Sequence, residues 1–175
     1  MAQYNIIAEN ENYTIVSDYE AVYRTSEKYQ TEAQLEQELI KNLTEQGYEY
    51  LAIHTEKDLV DNLRVQLQRL NDYTFTDSEW ERFFNDVIAN QNEGIEAKTA
   101  KIQEDHIQVL KRDTGETKNI YPIDKRNIHN NYLQVINQYE EEQGNHDARY
   151  DVSILVNGLP LVHIELKRRG VQLKE

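Results

Sequence analysis

Hydrophobic residues in the first half of the chain recur at helical spacing. Residues 31–46 carry one apolar stripe that stops before Gly47, formed by Leu35, Leu39, Ile40 and Leu43. Thr31 and Gln34 have the spacing of a capping box, in which each side chain binds a backbone N–H of the first turn. A second helix is predicted over 59–70, and a third that begins at a cap on Asp77 or Ser78, with a buried side of Trp80, Phe83, Phe84, Val87 and Ile88.

Beyond Gly94 the apolar spacing shortens, which favours strands. One strand is predicted through Ile107, Val109 and Leu110 and another over 119–123, with a turn at 113–115 between them. A short strand is also expected at 48–53. Residues 132–139 fit strand spacing and helix spacing, and we favour the strand; 143–147 form a polar connection.

The strongest local signal is a β-hairpin. Asn157-Gly158 separates two β-rich segments, 150–156 and 159–167. A strict two-residue turn would pair Val156 with Leu159 and would put Asp151 and Glu165 on opposite faces of the sheet. Pro160 cannot donate a ladder hydrogen bond, so a bulge or a three-residue loop is expected near 158–160. That shift of one residue would place Asp151, His163, Glu165 and Lys167 on a single face.

Composition narrows the class of protein. The 175 residues have room for one globular domain over 1–175, and the absence of cysteine excludes a disulfide framework and a Cys-based zinc site. No N-terminal apolar segment resembles a secretory signal, so a cytoplasmic protein is expected. The most apolar stretch, 152–166, is broken by Asn157, Gly158 and Pro160 and falls short of the roughly 18 apolar residues of a membrane span. No membrane partner is therefore expected.

The formal net charge is −13, from 32 acidic and 19 basic residues. This argues against a protein that grips DNA through a broad positive surface. The charge is uneven, however, because Lys167-Arg168-Arg169 and Lys174 lie near the C-terminal end. Arg168 and Arg169 are candidate phosphate contacts, although a solvated strand end is an equal alternative.

Asp151, Glu165 and Lys167 are the candidate catalytic residues. Two carboxylates can hold Mg²⁺, which keeps several waters of its own, and the backbone carbonyl of Leu166 could add a third ligand. Lys167 could hold the attacking water or the scissile phosphate, whereas a role as base would need a lowered pKa. Charged residues on strands this apolar need a functional reason.

The same residues resemble a known family, the N-terminal endonuclease domain of type I restriction enzyme motor subunits, in the PD-(D/E)xK nuclease superfamily. The resemblance lies in 156–162 followed by Ile164-Glu165-Leu166-Lys167, with Asn137-Gln138 and Arg149-Tyr150-Asp151 upstream, and it also reaches 29–47. It implies an α/β restriction-endonuclease-like fold, a mixed sheet flanked by helices, with Asp151 and Glu165 as metal ligands and Lys167 as the catalytic lysine. It also implies Mg²⁺-dependent cleavage of double-stranded DNA.

Two features depart from that family. Tyr150 stands where the superfamily pattern has proline, and the Gln-x-x-x-Tyr element that follows the Glu-x-Lys strand in related nucleases would lie beyond Glu175. The fold is therefore expected to be truncated at its C-terminal end, as a fragment of a longer subunit. No phosphate loop occurs here, so ATP is expected to bind only the full-length subunit. The resemblance implies methylation and specificity subunits as partners.

Other interpretations were weighed against this one. His163 is interpreted as a packing or hydrogen-bonding group, and Glu32 and Glu36, one helical turn apart, as surface charges in preference to metal ligands. A non-catalytic acidic protein, such as a DNA mimic, would suit the charge but gives the apolar hairpin no role. A degenerate nuclease fold is a further alternative, although all three candidate catalytic residues are present.

Overall fold

A computed structural model describes residues 5–9, 14–17, 30–141 and 148–168. Its elements in chain order are β1 Asn5–Glu9, β2 Thr14–Ser17, α1 Glu32–Glu45, β3 Glu49–Tyr50, α2 Glu56–Asn71, α3 Asp77–Phe83, a π-helical turn Phe84–Ile88, α4 Ile95–Gln103, β4 Gln108–Lys111, β5 Thr117–Ile120, a 3₁₀ turn Ile128–Asn130, β6 Leu133–Glu141, β7 Ala148–Val156 and β8 Leu159–Ile164.

A mixed four-stranded sheet in the order β3-β6-β7-β8 organises the fold. Strand β3 runs parallel to β6, whereas β6, β7 and β8 are antiparallel neighbours. The pairs β1-β2 and β4-β5 form two separate antiparallel ladders. The predicted α/β class with a mixed sheet is confirmed, and so is the strand interpretation of 132–139. Within the described residues, no helix is long and apolar enough to cross a membrane.

Helix α1 begins with the predicted capping box and covers one face of the sheet. Thr31 Oγ1 accepts a hydrogen bond from the Gln34 backbone N–H at 3.2 Å, and the Gln34 side chain accepts one from the Thr31 N–H at 2.9 Å. Leu43 is buried against β6 and β7, with Leu39 and Ile40 beside it. Burial of this stripe, more than helix propensity, stabilises a helix of this length.

Helix α2 lies on the other face of the sheet, where Asn62 donates to the Gln134 side chain at 3.0 Å. Its buried side joins α3 and the β4-β5 hairpin in the largest apolar cluster, which contains Leu63, Leu67, Phe75, Trp80, Phe83, Leu110, Ile120 and Leu159. Leu159 belongs to β8, so this cluster packs the helices α2 and α3 against the β7-β8 hairpin.

Two predictions for the helices need correction. Helix α3 is capped by Thr76, not by Asp77 or Ser78, because Thr76 and Glu79 form a capping box that fixes the start one residue earlier. Residues 95–103 form a helix that was not predicted. None of its residues is buried and Ile95 is 78% exposed, so it has no apolar stripe to reveal it.

The predicted strand boundaries also differ. In the segment 48–53 the strand is limited to Glu49–Tyr50, followed by one backbone hydrogen bond from the Leu51 N–H to the Val135 carbonyl. Strand β5 ends at Ile120 before Pro122, which has no N–H to donate. Strand β4 and the turn at 113–115 agree with the sequence. The predicted connection at 143–147 lies outside the described residues.

The Asn157-Gly158 turn packs closely against α2. Asn157 and Gly158 have φ values of 52° and 83°, as a two-residue hairpin turn of the I′ type requires. The buried Asn157 side chain accepts from the Tyr132 N–H at 2.8 Å and donates to the Pro122 carbonyl at 3.0 Å. A Cβ on Gly158 would lie 2.6 Å from the Cα of Leu63. The end of the hairpin is thus fixed to the helix.

We predict that Gly158→Ala lowers the free energy of unfolding by about 2–4 kcal/mol, from the positive φ and the backbone clash together. Gly115→Ala is the matched control, because Gly115 has φ +86° but nothing within 4 Å of its Cβ position. That variant should lose only about 1 kcal/mol. Urea unfolding measures both; equal losses would contradict the close packing.

Asp113 joins the β4-β5 turn to the start of α3. Its carboxylate accepts hydrogen bonds from the hydroxyls of Thr76 at 2.6 Å and Ser78 at 2.7 Å, and from the Arg82 guanidinium at 2.7 Å. These bonds, led by that from Thr76, lower the pKa of Asp113 to about 2. Because the folded-state pKa lies below 3.8, the ordinary pKa of an aspartate, the stabilisation is present above that pH and is lost as the pH falls toward 2.

Asp113→Asn should therefore lower the urea midpoint at neutral pH, and its midpoint should fall less than that of the wild type between pH 4 and pH 2. Asp77→Asn is the control, since its ion pair with Arg64 is exposed on the Asp77 side. If both variants keep the wild-type pH dependence, the Asp113 interaction does not stabilise the fold.

Candidate active site

The hairpin register changes beside Pro160, as the sequence predicts. Val156 pairs with Leu159 and Leu155 with Pro160, but the next residue of β7, Ile154, pairs with Val162. Leu161 is therefore the extra residue of a β-bulge, and the turn itself keeps two residues. The sequence predicted either a bulge or a three-residue loop, and the structure has the bulge.

This register brings together the segments that hold the candidate residues. Val152 pairs with Ile164, and continuing the register by one residue sets Asp151 across from Glu165. The Asp151 carboxylate accepts a hydrogen bond from the backbone N–H of Leu166 at 2.7 Å. The segment that follows β8 thus holds the Asp151 side chain of β7 through a charge-assisted hydrogen bond.

Lys167 lies in the same group. Its Nζ is 2.5 Å from Oε1 of Glu165, and both side chains are partly exposed. The hydrogen bond with Glu165 is the main cause that raises the pKa of Lys167, and the carboxylates of Glu165, Glu32 and Asp151 add to it against the opposing effect of desolvation. The direction of this shift is opposite to the lowered pKa that a role as base would need.

The donor set suits a hard cation that keeps much of its water. No group of three or more His, Cys, Asp or Glu side chains that could hold a metal occurs in the described part of the chain. Asp151 and Glu165 supply two carboxylates, which is the number by which Mg²⁺ is commonly held when waters complete its octahedron. Two carboxylates are compatible with a hydrated Mg²⁺, and metal binding by Asp151 and Glu165 stays a prediction.

Other candidate residues lie around this group. Arg168 is exposed, and its backbone N–H lies 3.5 Å from a carboxylate oxygen of Glu32. Arg169 lies outside the described residues. Phosphate contact by either arginine stays a prediction, as does metal binding by the carbonyl of Leu166.

His163 has the packing role expected for it. Its Nδ1 is 2.8 Å from Oγ of the buried Ser153, and its ring stacks on Tyr150 with the centroids 4.0 Å apart. These contacts explain its position without a ligand.

The surface interpretation of Glu36 is wrong. Its carboxylate is half-buried and accepts hydrogen bonds from the side-chain amides of Asn137, at 2.6 Å, and Gln138. A signal was present in the sequence, because Glu36 precedes Leu39, Ile40 and Leu43 by three, four and seven residues and shares their side of the helix. Glu32, one turn earlier, is exposed.

Residues 29–175 match the family described as the N terminus of the type I restriction enzyme R protein. The chain belongs to this family. It is 45% identical over 170 residues to the type I restriction enzyme EcoprrI endonuclease subunit of Escherichia coli, with 97% of this chain and 54% of that subunit covered. The resemblance inferred from the hairpin is confirmed.

Staphylococcal relatives of the R protein N terminus are longer still. The chain is 39% identical over 152 residues to the SsaAORF53P endonuclease subunit of Staphylococcus saprophyticus, and 36% identical to the SauMW2ORF169P subunit of Staphylococcus aureus. In both cases 84% of this chain and 16% of the subunit are covered. The chain therefore spans about half of the Escherichia coli relative and about a sixth of the staphylococcal ones.

In this R protein N terminus, Asp151→Ala should lower the free energy of unfolding by about 1–2 kcal/mol, because the Leu166 N–H loses a charged acceptor. Asp151→Asn keeps an oxygen acceptor and should lose less than half as much. Urea unfolding without divalent cations measures both, with Asp61→Ala as a control for an exposed carboxylate. A larger loss in Asp151→Asn than in Asp151→Ala would contradict the hydrogen bond.

Proposed function

We propose that this chain is the nuclease part of a type I restriction system and that it cleaves double-stranded DNA with Mg²⁺ held by Asp151 and Glu165. The observation that carries the proposal is the bulged hairpin, in which the Asp151 carboxylate accepts from the N–H of Leu166, the residue between Glu165 and Lys167, while Lys167 is paired with Glu165. Family membership supports it, because the relatives are named endonuclease subunits.

Each residue has a distinct task in phosphodiester hydrolysis. Asp151 and Glu165 hold the cation, and the Leu166 N–H fixes the orientation of the Asp151 carboxylate. When bound, Mg²⁺ supplies charge neutralisation at the phosphate and a water of lowered pKa. The Lys167 ammonium group binds a non-bridging oxygen of the scissile phosphate and stabilises the charge that develops there.

The system-level parts of the proposal follow from the family. One such site cuts one strand, so a double-strand break needs two copies of the subunit. Methylation and specificity subunits would choose the target, and ATP-driven translocation would belong to the remainder of the longer subunit. A cytoplasmic location, where the DNA lies, completes the proposal. A DNA mimic is the weaker alternative, because it gives Lys167 and the bulge no task.

We expect Asp151→Ala, Glu165→Ala and Lys167→Ala each to reduce cleavage by roughly a hundredfold or more, since each removes a charge that acts in the transition state. The assay is plasmid cutting by the complete subunit in its complex, with translocation measured in parallel. Translocation should persist, and chelation of divalent cations should stop cutting in the wild type.

Lys57→Ala is the matched control for Lys167→Ala. Lys57 is also exposed and paired with a carboxylate, Asp61, at 2.6 Å, and the same kind of hydrogen bond raises its pKa. Both substitutions should leave the urea midpoint almost unchanged, because exposed ion pairs contribute little. Normal cutting by either Asp151→Ala or Lys167→Ala would refute the proposed site.

A further inference from the structure

Side chains of β6 and β7 change faces in the middle of the sheet. Tyr150 packs in one apolar cluster with Leu155 and Tyr139, whereas Val152, only two residues on, packs in the other with Val135. Residues two apart on a regular strand share a face. The pairing register is constant on both sides of this point, so no inserted residue explains the change.

The change of face is located at Gln138 and Asp151. The ladder pairs Asn137 with Val152 and Tyr139 with Tyr150, but the intervening residues, Gln138 and Asp151, are not paired. Gln138 has φ +54°, a left-handed conformation that is uncommon for a residue other than glycine. A single left-handed residue in β6 therefore breaks the alternation directly opposite Asp151.

Glu36 holds this conformation in place. Its carboxylate accepts from the amides of both Asn137 and Gln138, although neighbouring residues of a regular strand point to opposite faces. Asn137 is held from its other side as well, because its oxygen accepts from the Tyr50 hydroxyl at 2.8 Å. A strained backbone persists only where its surroundings enforce it. The two hydrogen bonds from Asn137 and Gln138 to the Glu36 carboxylate form a clamp that does so.

We propose that Glu36 and Gln138 are positioning residues for the metal site. They keep Gln138 in the left-handed conformation opposite Asp151, so that Asp151 is not paired with β6 and its carboxylate accepts the hydrogen bond from the Leu166 N–H. The inference rests on the proposed function of Asp151 as a ligand. Neither residue needs to touch the cation. Their effect on cation affinity is transmitted through the Asp151 backbone.

Two substitutions at Gln138 separate the effect of its left-handed backbone from the effect of its side-chain amide. Gln138→Gly loses the amide but adopts positive φ readily, so affinity for Mn²⁺ should stay within about threefold of the wild type. Gln138→Val strongly disfavours the left-handed region, and affinity should fall about tenfold or more, the range found for residues that orient ligands. Calorimetric titration of the complete chain with Mn²⁺ measures the affinity without requiring cleavage.

Asp72 supplies the matched control for strain. It is exposed and left-handed, with φ +44°, at the end of α2 and away from the hairpin. Asp72→Val should lower the urea midpoint as Gln138→Val does while leaving Mn²⁺ affinity unchanged. If affinity instead follows the urea midpoint in both variants, Gln138 has a merely structural role and the inference fails.

Glu36→Gln tests the clamp. Asn137 and Gln138 donate to different oxygens of the Glu36 carboxylate, and a carboxamide replaces one of these oxygens with an NH₂ donor. One amide then faces a donor and loses its acceptor, so Mn²⁺ affinity should fall about tenfold. Glu49→Gln is the control, because Glu49 accepts from the Gln134 amide at 3.1 Å in the same sheet, between β3 and β6. Equal affinities for Glu36→Gln and Glu49→Gln would overturn the role of Glu36.

Asp151→Ala separates the two proposals. If Asp151→Ala binds Mn²⁺ as the wild type does, the proposed metal site is wrong. If Asp151→Ala loses binding while Gln138→Val and Glu36→Gln keep it, the site stands and the positioning inference is wrong. Loss of binding in all three, with normal binding in Gln138→Gly and Asp72→Val, supports both.

Discussion

The alternation of side chains along a β-strand is the constraint on which this structure depends. Residues that act together from adjacent strands must reach the same region, yet a two-residue turn between β7 and β8 gives Asp151 and Glu165 opposite parity. The bulge at Leu161 resolves the conflict by changing the register of β8. A second irregularity, the left-handed Gln138, interrupts the ladder of β6 opposite Asp151.

Both irregularities depend on parts of the molecule that are firmly held. The Asn157-Gly158 turn packs against α2, and this contact fixes the position from which the pairing of β7 with β8 begins. At the other end of the sheet, α1 supplies the Glu36 carboxylate that ties Asn137 to Gln138. The two helices on opposite faces thus each constrain one irregularity, and the hairpin between them has little freedom to slip.

The parts of the fold that were predictable are those with local causes. The Thr31-Gln34 capping box, the Asn-Gly turn and the missing N–H of Pro160 act within a few residues, and each predicted feature is present. Helix α4 was missed because it buries no residue and so leaves no periodic pattern. The conformation of Gln138 was also inaccessible, since the carboxylate that its side-chain amide binds lies 102 positions away in the sequence.

The electrostatics of the candidate site explain how an acidic chain could act on a polyanion. Three carboxylates, those of Glu165, Glu32 and Asp151, act together on the charge of Lys167. With one ammonium group among them, these four side chains carry a net negative charge, in keeping with the net charge of −13, although the exposed Arg168 follows Lys167 directly. A divalent cation held by Asp151 and Glu165, as proposed, would reverse that local balance. Under the proposed function, the acidity of the site therefore makes phosphate binding conditional on the metal, and the overall charge is no argument against a nuclease.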